Sequence, residues 1–177
     1  MKKFKKVAVG GTFDELHRGH KALLDKAFEV GEHVVIGLSS DEFVSKMGKP
    51  HKTAPYTERL EELQNFLKES GLADRVEIVP LKDPYGLSIS GKDLDALVVS
   101  KETETMAKKI NEKRKQAGLS PLKIITISMV PAENKTPIST TRIRGGEIDR
   151  NGFLLKTKTN FLKYFSNNMN RLRNQRN

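Results

Sequence analysis

The sequence predicts an α/β domain with a parallel sheet of about five strands and helices on both faces. Short, strongly apolar runs alternate with longer segments whose apolar residues recur every three or four positions, and this alternation is typical of parallel sheets. The strands are apolar along their whole length, as expected when helices cover both faces. A chain of 177 residues is long enough for one such domain and too short for two.

The predicted strands and helices follow one another along the chain. Runs rich in Val, Ile and Leu predict strands at residues 6–9, 33–38, 76–79, 94–99 and 123–127. Helical spacing of apolar residues predicts helices at residues 19–30, 57–70 and 102–117, with a short fourth helix after Ser139. Thr57 is expected to cap the second helix. The polar, Lys-rich stretch at residues 39–52 is interpreted as a loop.

Composition narrows the class of protein. The chain has no cysteine, which excludes disulfides and thiolate metal sites. No apolar run approaches the roughly 18 to 20 residues that span a bilayer, and the basic start of the chain lacks the apolar stretch of a signal peptide. We therefore expect a cytoplasmic protein without a membrane partner, either a monomer or a small homo-oligomer.

The net charge of +10 is unevenly distributed. Six of the 32 Lys and Arg residues follow residue 155, where there is no Asp or Glu, so the preceding part has 26 basic and 22 acidic residues. This mildly basic body suits an enzyme with anionic substrates. We place the domain at residues 1–153 and interpret 154–177 as a basic extension, helical or partly disordered. A nucleic-acid-binding module is the alternative, but the Asn- and Arg-rich end lacks interleaved aromatics for base stacking.

The segment after the first strand is a candidate phosphate site. Gly10 and Gly11 allow a tight turn and a close approach of phosphate to backbone N–H groups, and Thr12 adds a hydroxyl. His17 and His20 are three residues apart at the start of a helix, so both rings can face the same side and stabilise charge on a phosphate. Two alternatives stay open: histidines that only cap the helix, and a metal site shared with Asp14.

A second candidate site lies at Ser139-Thr140-Thr141-Arg142-Ile143-Arg144. Hydroxyl groups and unpaired N–H groups at the start of a helix bind anions, and arginines add charged donors. An ordinary serine cap with surface arginines is the alternative. Because ligands of parallel sheets bind beyond the carboxyl ends of the strands, both segments are expected to face one crevice.

These two segments resemble the HxGH and ISSTxxR signatures of the HxGH nucleotidyltransferase superfamily, which has a Rossmann-like fold. Thr140 replaces the usual second serine, Arg144 occupies the terminal basic position, and Arg142 is the variable one. The resemblance implies that His17, His20 and Arg144 are catalytic. It further implies that ATP is bound by Gly10, Gly11, Thr12, Phe13, His17, Gly19, His20, Ser100, Ser139, Thr140, Thr141 and Arg144. In the second signature, the resemblance implies that the hydroxyl groups and the terminal basic residue, here Arg144, hold the β and γ phosphates.

As far as about residue 153, the chain also resembles the archaeal and eukaryotic type of phosphopantetheine adenylyltransferase. The segments that carry this resemblance are residues 37–41, 55–59, 83–86, 98–103, 109–114 and 145–149. Such enzymes convert ATP and 4′-phosphopantetheine into dephospho-coenzyme A and pyrophosphate, with Mg²⁺ accompanying ATP. Bacterial members have paired arginines where this chain has Ser100-Lys101-Glu102-Thr103.

The acceptor side of the site is less sharply defined by the sequence. The resemblance implies that one lysine of the 39–52 loop contacts phosphate, and among Lys46, Lys49 and Lys52 we choose Lys46 as a catalytic and acceptor-binding residue. Thr12 and Tyr85 are the other acceptor candidates, with the alternative that Tyr85 belongs to a surface turn. Glycerol phosphate and nicotinamide or flavin mononucleotide are the alternative acceptors. No metal ligand from the protein is expected.

Overall fold

The computed structural model describes residues 2–89, 91 and 93–155. Five strands form one sheet: β1 (Phe4–Gly11), β2 (Gly31–Ser39), β3 (Val76–Leu81), β4 (Ala96–Ser100) and β5 (Lys123–Ile127). Every neighbouring pair is parallel, and the order across the sheet is β3-β2-β1-β4-β5. This arrangement confirms the predicted Rossmann-like parallel sheet of five strands.

The described residues also form five α-helices. They are α1 (Arg18–Val30), α2 (Asp41–Lys46), α3 (Tyr56–Glu69), α4 (Glu104–Gln116) and α5 (Thr140–Arg144). Short 3-10 turns lie at Ala73–Arg75, Gly86–Ile89 and Lys101–Thr103. Among the described residues, no helix combines the length and the apolar character that crossing a membrane requires.

Alternate residues of the strands point to two separate cores. Val7 and Val9 of β1 pack with α1 and α3, as part of a cluster that includes Leu24 and Leu63. Ala8 of β1 points the other way, into a cluster with Ala107 and Ile110 of α4. Helices therefore cover both faces of the sheet, which explains why its strands are apolar throughout.

The direction of strand addition reverses between β1 and β4. The chain builds outward from β1 through β2 to β3, then returns to the opposite side of β1 for β4 and β5. In parallel sheets such a reversal opens a crevice at the carboxyl ends of the two central strands. The segments after Gly11 and Ser100 border this crevice.

The structure differs from the sequence-based prediction in the 39–52 segment, which was expected to be a loop. Residues 41–46 form α2, because the Ser40 side chain accepts the N–H of Phe43 and Asp41 and Glu42 lie in the first turn. The predicted cap Thr57 is also wrong, since α3 already begins at Tyr56 after Pro55. Of the predicted extension at 154–177, residues 156–177 lie outside the described part of the chain.

Candidate active site

Two histidines begin α1 and lie against each other. His17 is the N-cap residue, and its Nδ1 accepts the N–H groups of Gly19 at 3.1 Å and His20 at 3.3 Å. The Nδ1 of His20 accepts the His17 N–H in return, at 3.5 Å. The two rings stack with their centroids 3.7 Å apart. Reciprocal capping thus fixes both rings side by side at the amino end of the helix.

The environment keeps both imidazoles neutral. Burial and the positive charge of Arg150 lower the pKa of His17 to about 4. Burial, together with the His17 ring, holds the pKa of His20 well below its ordinary value. Because each Nδ1 accepts a backbone N–H, the single proton of each neutral ring resides on Nε2. Both rings therefore have an Nε2–H available as a donor, as a phosphate oxygen requires.

The neutral state of His17 predicts a pH dependence of folding. Between about pH 4 and 6.5 the unfolded chain binds a proton at this ring that the folded chain excludes, so this residue makes stability rise with pH by about 3 kcal/mol across that window. His17→Asn keeps a side-chain oxygen for the cap but removes the titrating ring. In urea unfolding followed over this pH range, the variant is expected to show a shallower slope. Parallel pH profiles for the two proteins would contradict a neutral His17.

The turn between β1 and α1 has an uncommon backbone. Phe13 and Glu15 adopt positive φ angles of 49° and 52°, a region that non-glycine residues rarely occupy. Gly19 matters for a different reason, since a Cβ at this position would lie 3.0 Å from Cε1 of His17. Phe13 is buried and its ring centroid is 5.3 Å from that of His20. The turn is therefore shaped around the two histidine rings, and such strain is typical of functional sites.

Asp14 joins the two signature segments. Its carboxylate is 0% exposed and accepts two hydrogen bonds from Arg144, from Nε at 2.8 Å and from Nη2 at 2.7 Å. The backbone oxygen of Asp14 accepts a third bond, from Oγ1 of Thr140 at 2.9 Å. Burial alone would raise the pKa of Asp14, but the hydrogen bonds from Arg144 and the Ala54 N–H outweigh it and lower the pKa. The carboxylate is therefore charged at neutral pH.

The short helix α5 presents the other candidate phosphate ligands. The Ser139 side chain caps it by accepting the N–H of Arg142, and Thr141 is exposed. The Arg142 side chain is occupied by Glu147 and by the carbonyl groups of Thr136 and Pro137. Arg142 therefore supports the loop before α5, as expected for the variable position of the signature.

The structure brings Lys49, and not Lys46, to the end of β1. Nζ of Lys49 lies 2.9 Å from Oγ1 of Thr12, and burial lowers the pKa of Lys49. The side chain of Lys46 is 65% exposed and pairs with Glu42 one turn earlier in α2. The helix α2 explains the difference, because it turns Lys46 outward and leaves Lys49 on the following loop. Lys46, our choice from the sequence, has Glu42 as its ion-pair partner in the described part of the chain.

A buried arginine, Arg59, forms hydrogen bonds to three chain segments near the crevice. It donates to the carbonyl oxygens of Thr12 at 2.9 Å, Ser39 at 2.8 Å and Ala54 at 2.8 Å, and it pairs with Asp41. The buried position of Arg59 could have been predicted from the sequence. Arg59 lies on the buried face of α3, four and eight residues before Leu63 and Leu67.

Two further predicted residues lie at the border of the crevice or away from it. Ser100 is the last residue of β4, and its hydroxyl is 3.3 Å from that of Thr103. Tyr85 packs against the α4 cluster, with Nζ of Lys113 4.5 Å from its ring centroid. The ring of Tyr85 is thus occupied by contacts within the fold, on the face of the sheet opposite to α1.

Comparison with known proteins identifies the family. The sequence model of the Cytidylyltransferase-like family matches residues 8–146. The chain belongs to this family. The matched segment of this cytidylyltransferase-like chain contains the residues that the fold brings to the crevice, namely His17, His20, Lys49, Asp14 and Arg144.

Several curated relatives of this cytidylyltransferase-like chain are named phosphopantetheine adenylyltransferase. The phosphopantetheine adenylyltransferase of Methanopyrus kandleri is 48% identical over 147 residues, covering 83% of this chain and 92% of the relative. That of Methanothermobacter thermautotrophicus is 46% identical over 155 residues, covering 88% and 92%. A crystal structure of a protein with unknown function from Archaeoglobus fulgidus is 36% identical, with a TM-score of 0.63 over 69% of this chain and 88% of the other.

Proposed function

We propose that this chain is a phosphopantetheine adenylyltransferase, which transfers the adenylyl group of ATP to 4′-phosphopantetheine and gives dephospho-coenzyme A and pyrophosphate. The observation that carries the proposal is the contact of both signature segments at Asp14, with the neutral histidine pair on one segment and Arg144 on the other. Curated relatives of that name, aligned over 83% and 88% of the chain, support the choice of acceptor.

The reaction requires positioning and positive charge rather than a general base. The acceptor phosphate is already an anion near neutral pH, and one of its oxygens attacks the α-phosphorus of ATP. A new P–O bond forms while the bond from the α-phosphorus to its bridging oxygen breaks, and the electron pair leaves with pyrophosphate. Nε2–H groups of His17 and His20 are suited to stabilise the charge that grows on these oxygens.

Lys49 is proposed to hold the acceptor phosphate beside Thr12, in the role that the sequence led us to give to Lys46. Loss of a charged donor to a phosphate is expected to lower kcat/KM for 4′-phosphopantetheine by about 10- to 100-fold in Lys49→Ala. Lys46→Ala is the matched control, since it removes the same charge from an exposed site three residues earlier, and it should stay within about twofold of the wild type. If a steady-state assay instead showed the larger loss of kcat/KM in Lys46→Ala, Lys46 would be the lysine that binds the acceptor phosphate.

We propose that Mg²⁺ enters the reaction bound to ATP. Among residues 2–89, 91 and 93–155, no group of three or more His, Asp or Glu side chains is arranged to hold a metal ion. Asp14, the carboxylate in the turn before the histidines, is already occupied by Arg144. These residues do not fit a protein-bound ion, so the triphosphate and water are the expected ligands.

The proposed partners are therefore two phosphorylated metabolites, and nucleic acid is not among them. A mildly basic body with 26 basic and 22 acidic residues before the extension suits such substrates. We propose that the enzyme works in the cytoplasm, where ATP is available, as a monomer or a small homo-oligomer.

The proposal is tested by incubating the protein with ATP, Mg²⁺ and 4′-phosphopantetheine. Dephospho-coenzyme A and pyrophosphate are expected in equal amounts. Glycerol phosphate, nicotinamide mononucleotide and flavin mononucleotide, each supplied with ATP or CTP, are expected to release pyrophosphate at least about 100-fold more slowly. Faster release with one of these acceptors would identify it as the substrate in place of 4′-phosphopantetheine.

A further inference from the structure

His51 is a partly exposed histidine, with both ring nitrogens buried, that the proposed reaction does not use. Its side chain is 11% exposed, and neither ring nitrogen has a hydrogen-bond partner among the described residues. Buried polar groups without partners reduce stability, and native proteins keep few of them. The two unpaired nitrogens leave His51 able to bond to a group that comes within reach of the ring.

The carboxylate of Asp14 is within reach of this ring. Nε2 of His51 lies 3.9 Å from Oδ2 of Asp14, so a movement of about 1 Å would bring the pair into hydrogen-bond range. In the present state that carboxylate is held by two donors of Arg144 and by the Ala54 N–H at 3.1 Å. Asp14 thus has Arg144 and the Ala54 N–H as its present partners, with His51 as a further donor nearby.

Arg144 has two roles that compete for the same donors. The signature resemblance assigns it to the distal phosphates of ATP, whereas Nε and Nη2 are here bound to Asp14, with Glu15 3.1 Å from Nη2. The Arg144 side chain is 27% exposed, so a ligand can reach it from solvent. Its departure would leave a fully buried carboxylate without a cation or donor in its place, which is strongly unfavourable.

We infer that Asp14 exchanges partners when ATP binds: Arg144 turns to the distal phosphates, and Nε2–H of His51 replaces it on the carboxylate. The inference rests on the proposed function, because ATP is the ligand that recruits Arg144. His51 is then a positioning residue, which acts on ATP through Arg144 by stabilising the carboxylate that the arginine leaves.

The charge state of His51 suits this role. Burial and the nearby charge of Lys49 keep the pKa of His51 below its ordinary value, so the ring is neutral at physiological pH. A neutral imidazole has one N–H, which is all that the exchange requires. The neutral ring brings no charge of its own to Asp14, and the positive charge of Arg144 moves to the phosphates.

The exchange is tested first without any ligand, by thermal unfolding. His51→Leu keeps the approximate volume of the ring but has no donor, whereas His51→Gln keeps an N–H near the position of Nε2. In the wild-type background, where Arg144 already satisfies Asp14, the two variants are expected to melt within about 2 °C of each other. In the Arg144→Ala background, where Asp14 depends on His51, the Leu variant is expected to melt about 5 °C below the Gln variant. Equal melting in that background would overturn the exchange.

Calorimetric titration with ATP and AMP is the second test. His51→Leu is expected to weaken ATP binding about tenfold, with His51→Gln close to the wild type, while AMP binds all three proteins alike because it lacks the distal phosphates. In the Arg144→Ala background the Leu and Gln variants should bind ATP equally. An equal loss for ATP and AMP would overturn the inference alone. A wild-type chain that binds neither nucleotide would overturn the proposed function as well.

Discussion

His20→Ala is expected to lower kcat by about 100- to 1,000-fold while the Kd for ATP changes by no more than about threefold. The reason is that an Nε2–H donor held by backbone contacts binds more strongly to the charge of the transition state than to the substrate. The ring of His20 is fixed by the His17 N–H and by stacking on His17, so it cannot adjust to ground-state ATP. Single-turnover rates and equilibrium binding of ATP, measured on the same preparation, separate the two effects.

Two variants serve as controls for His20→Ala. His33→Ala removes an exposed histidine from β2, near the opposite end of the sheet, and should leave both kcat and the Kd for ATP unchanged. His20→Gln offers an amide N–H near the position of Nε2 and should recover part of the rate. A His20→Ala protein that loses rate and ATP affinity in equal measure would show that the ring binds the ground state instead.

Asp14→Ala is expected to have the largest effect on folding, lowering the free energy of unfolding by about 3 kcal/mol or more. The substitution removes the acceptor of two Arg144 donors and of the Ala54 N–H, and it leaves a cavity where a fully buried side chain was. Urea unfolding at neutral pH provides the measurement. Asp93→Ala is the matched control, because this exposed carboxylate pairs, within the described part of the chain, with Lys6 at the surface, and its unfolding midpoint should not move.

The Asp14 carboxylate also makes the free energy of unfolding depend on pH in the acid range. Arg144 and the Ala54 N–H hold the pKa of Asp14 below its ordinary value near 3.8, despite the opposing effect of burial. A lowered pKa in the folded state means that the stabilisation is complete above about pH 4 and is lost as the pH falls through the folded-state pKa. The Asp14→Ala protein should lack this loss at the acid end. If the wild type and Asp14→Ala lost stability equally as the pH falls below about 4, Asp14 would not be charged in the folded protein.

The parallel sheet and the succession of strands and helices along the chain were predictable, because the spacing of apolar residues is a local property of the sequence. Each strand is a short apolar run between turn residues, and the helix at α1 has its apolar residues at helical spacing. The helix α2 escaped prediction because six residues with no buried side chain give no periodic signal. Its only sequence signal was the cap, Ser40 followed by two acidic residues.

Contacts between side chains that are far apart in the sequence were harder to predict than the strands and helices. The two signatures pointed to His17, His20 and Arg144, but the sequence did not reveal that Asp14 would occupy Arg144. The choice of Lys46 over Lys49 depended on the backbone direction after β2, which the unpredicted helix α2 decides. His51 gave no sequence signal, because its significance lies in contacts that it lacks.

The link between Asp14 and Thr140 spans 126 residues of sequence, and this has a consequence for biosynthesis. While the ribosome has delivered only the first half of the chain, the histidine pair can form but the opposing hydroxyl and guanidinium groups do not yet exist. Closing so long a loop also delays this contact until late in folding. The proposed nucleotide site is therefore complete only after Thr140 and Arg144 have been added to the chain.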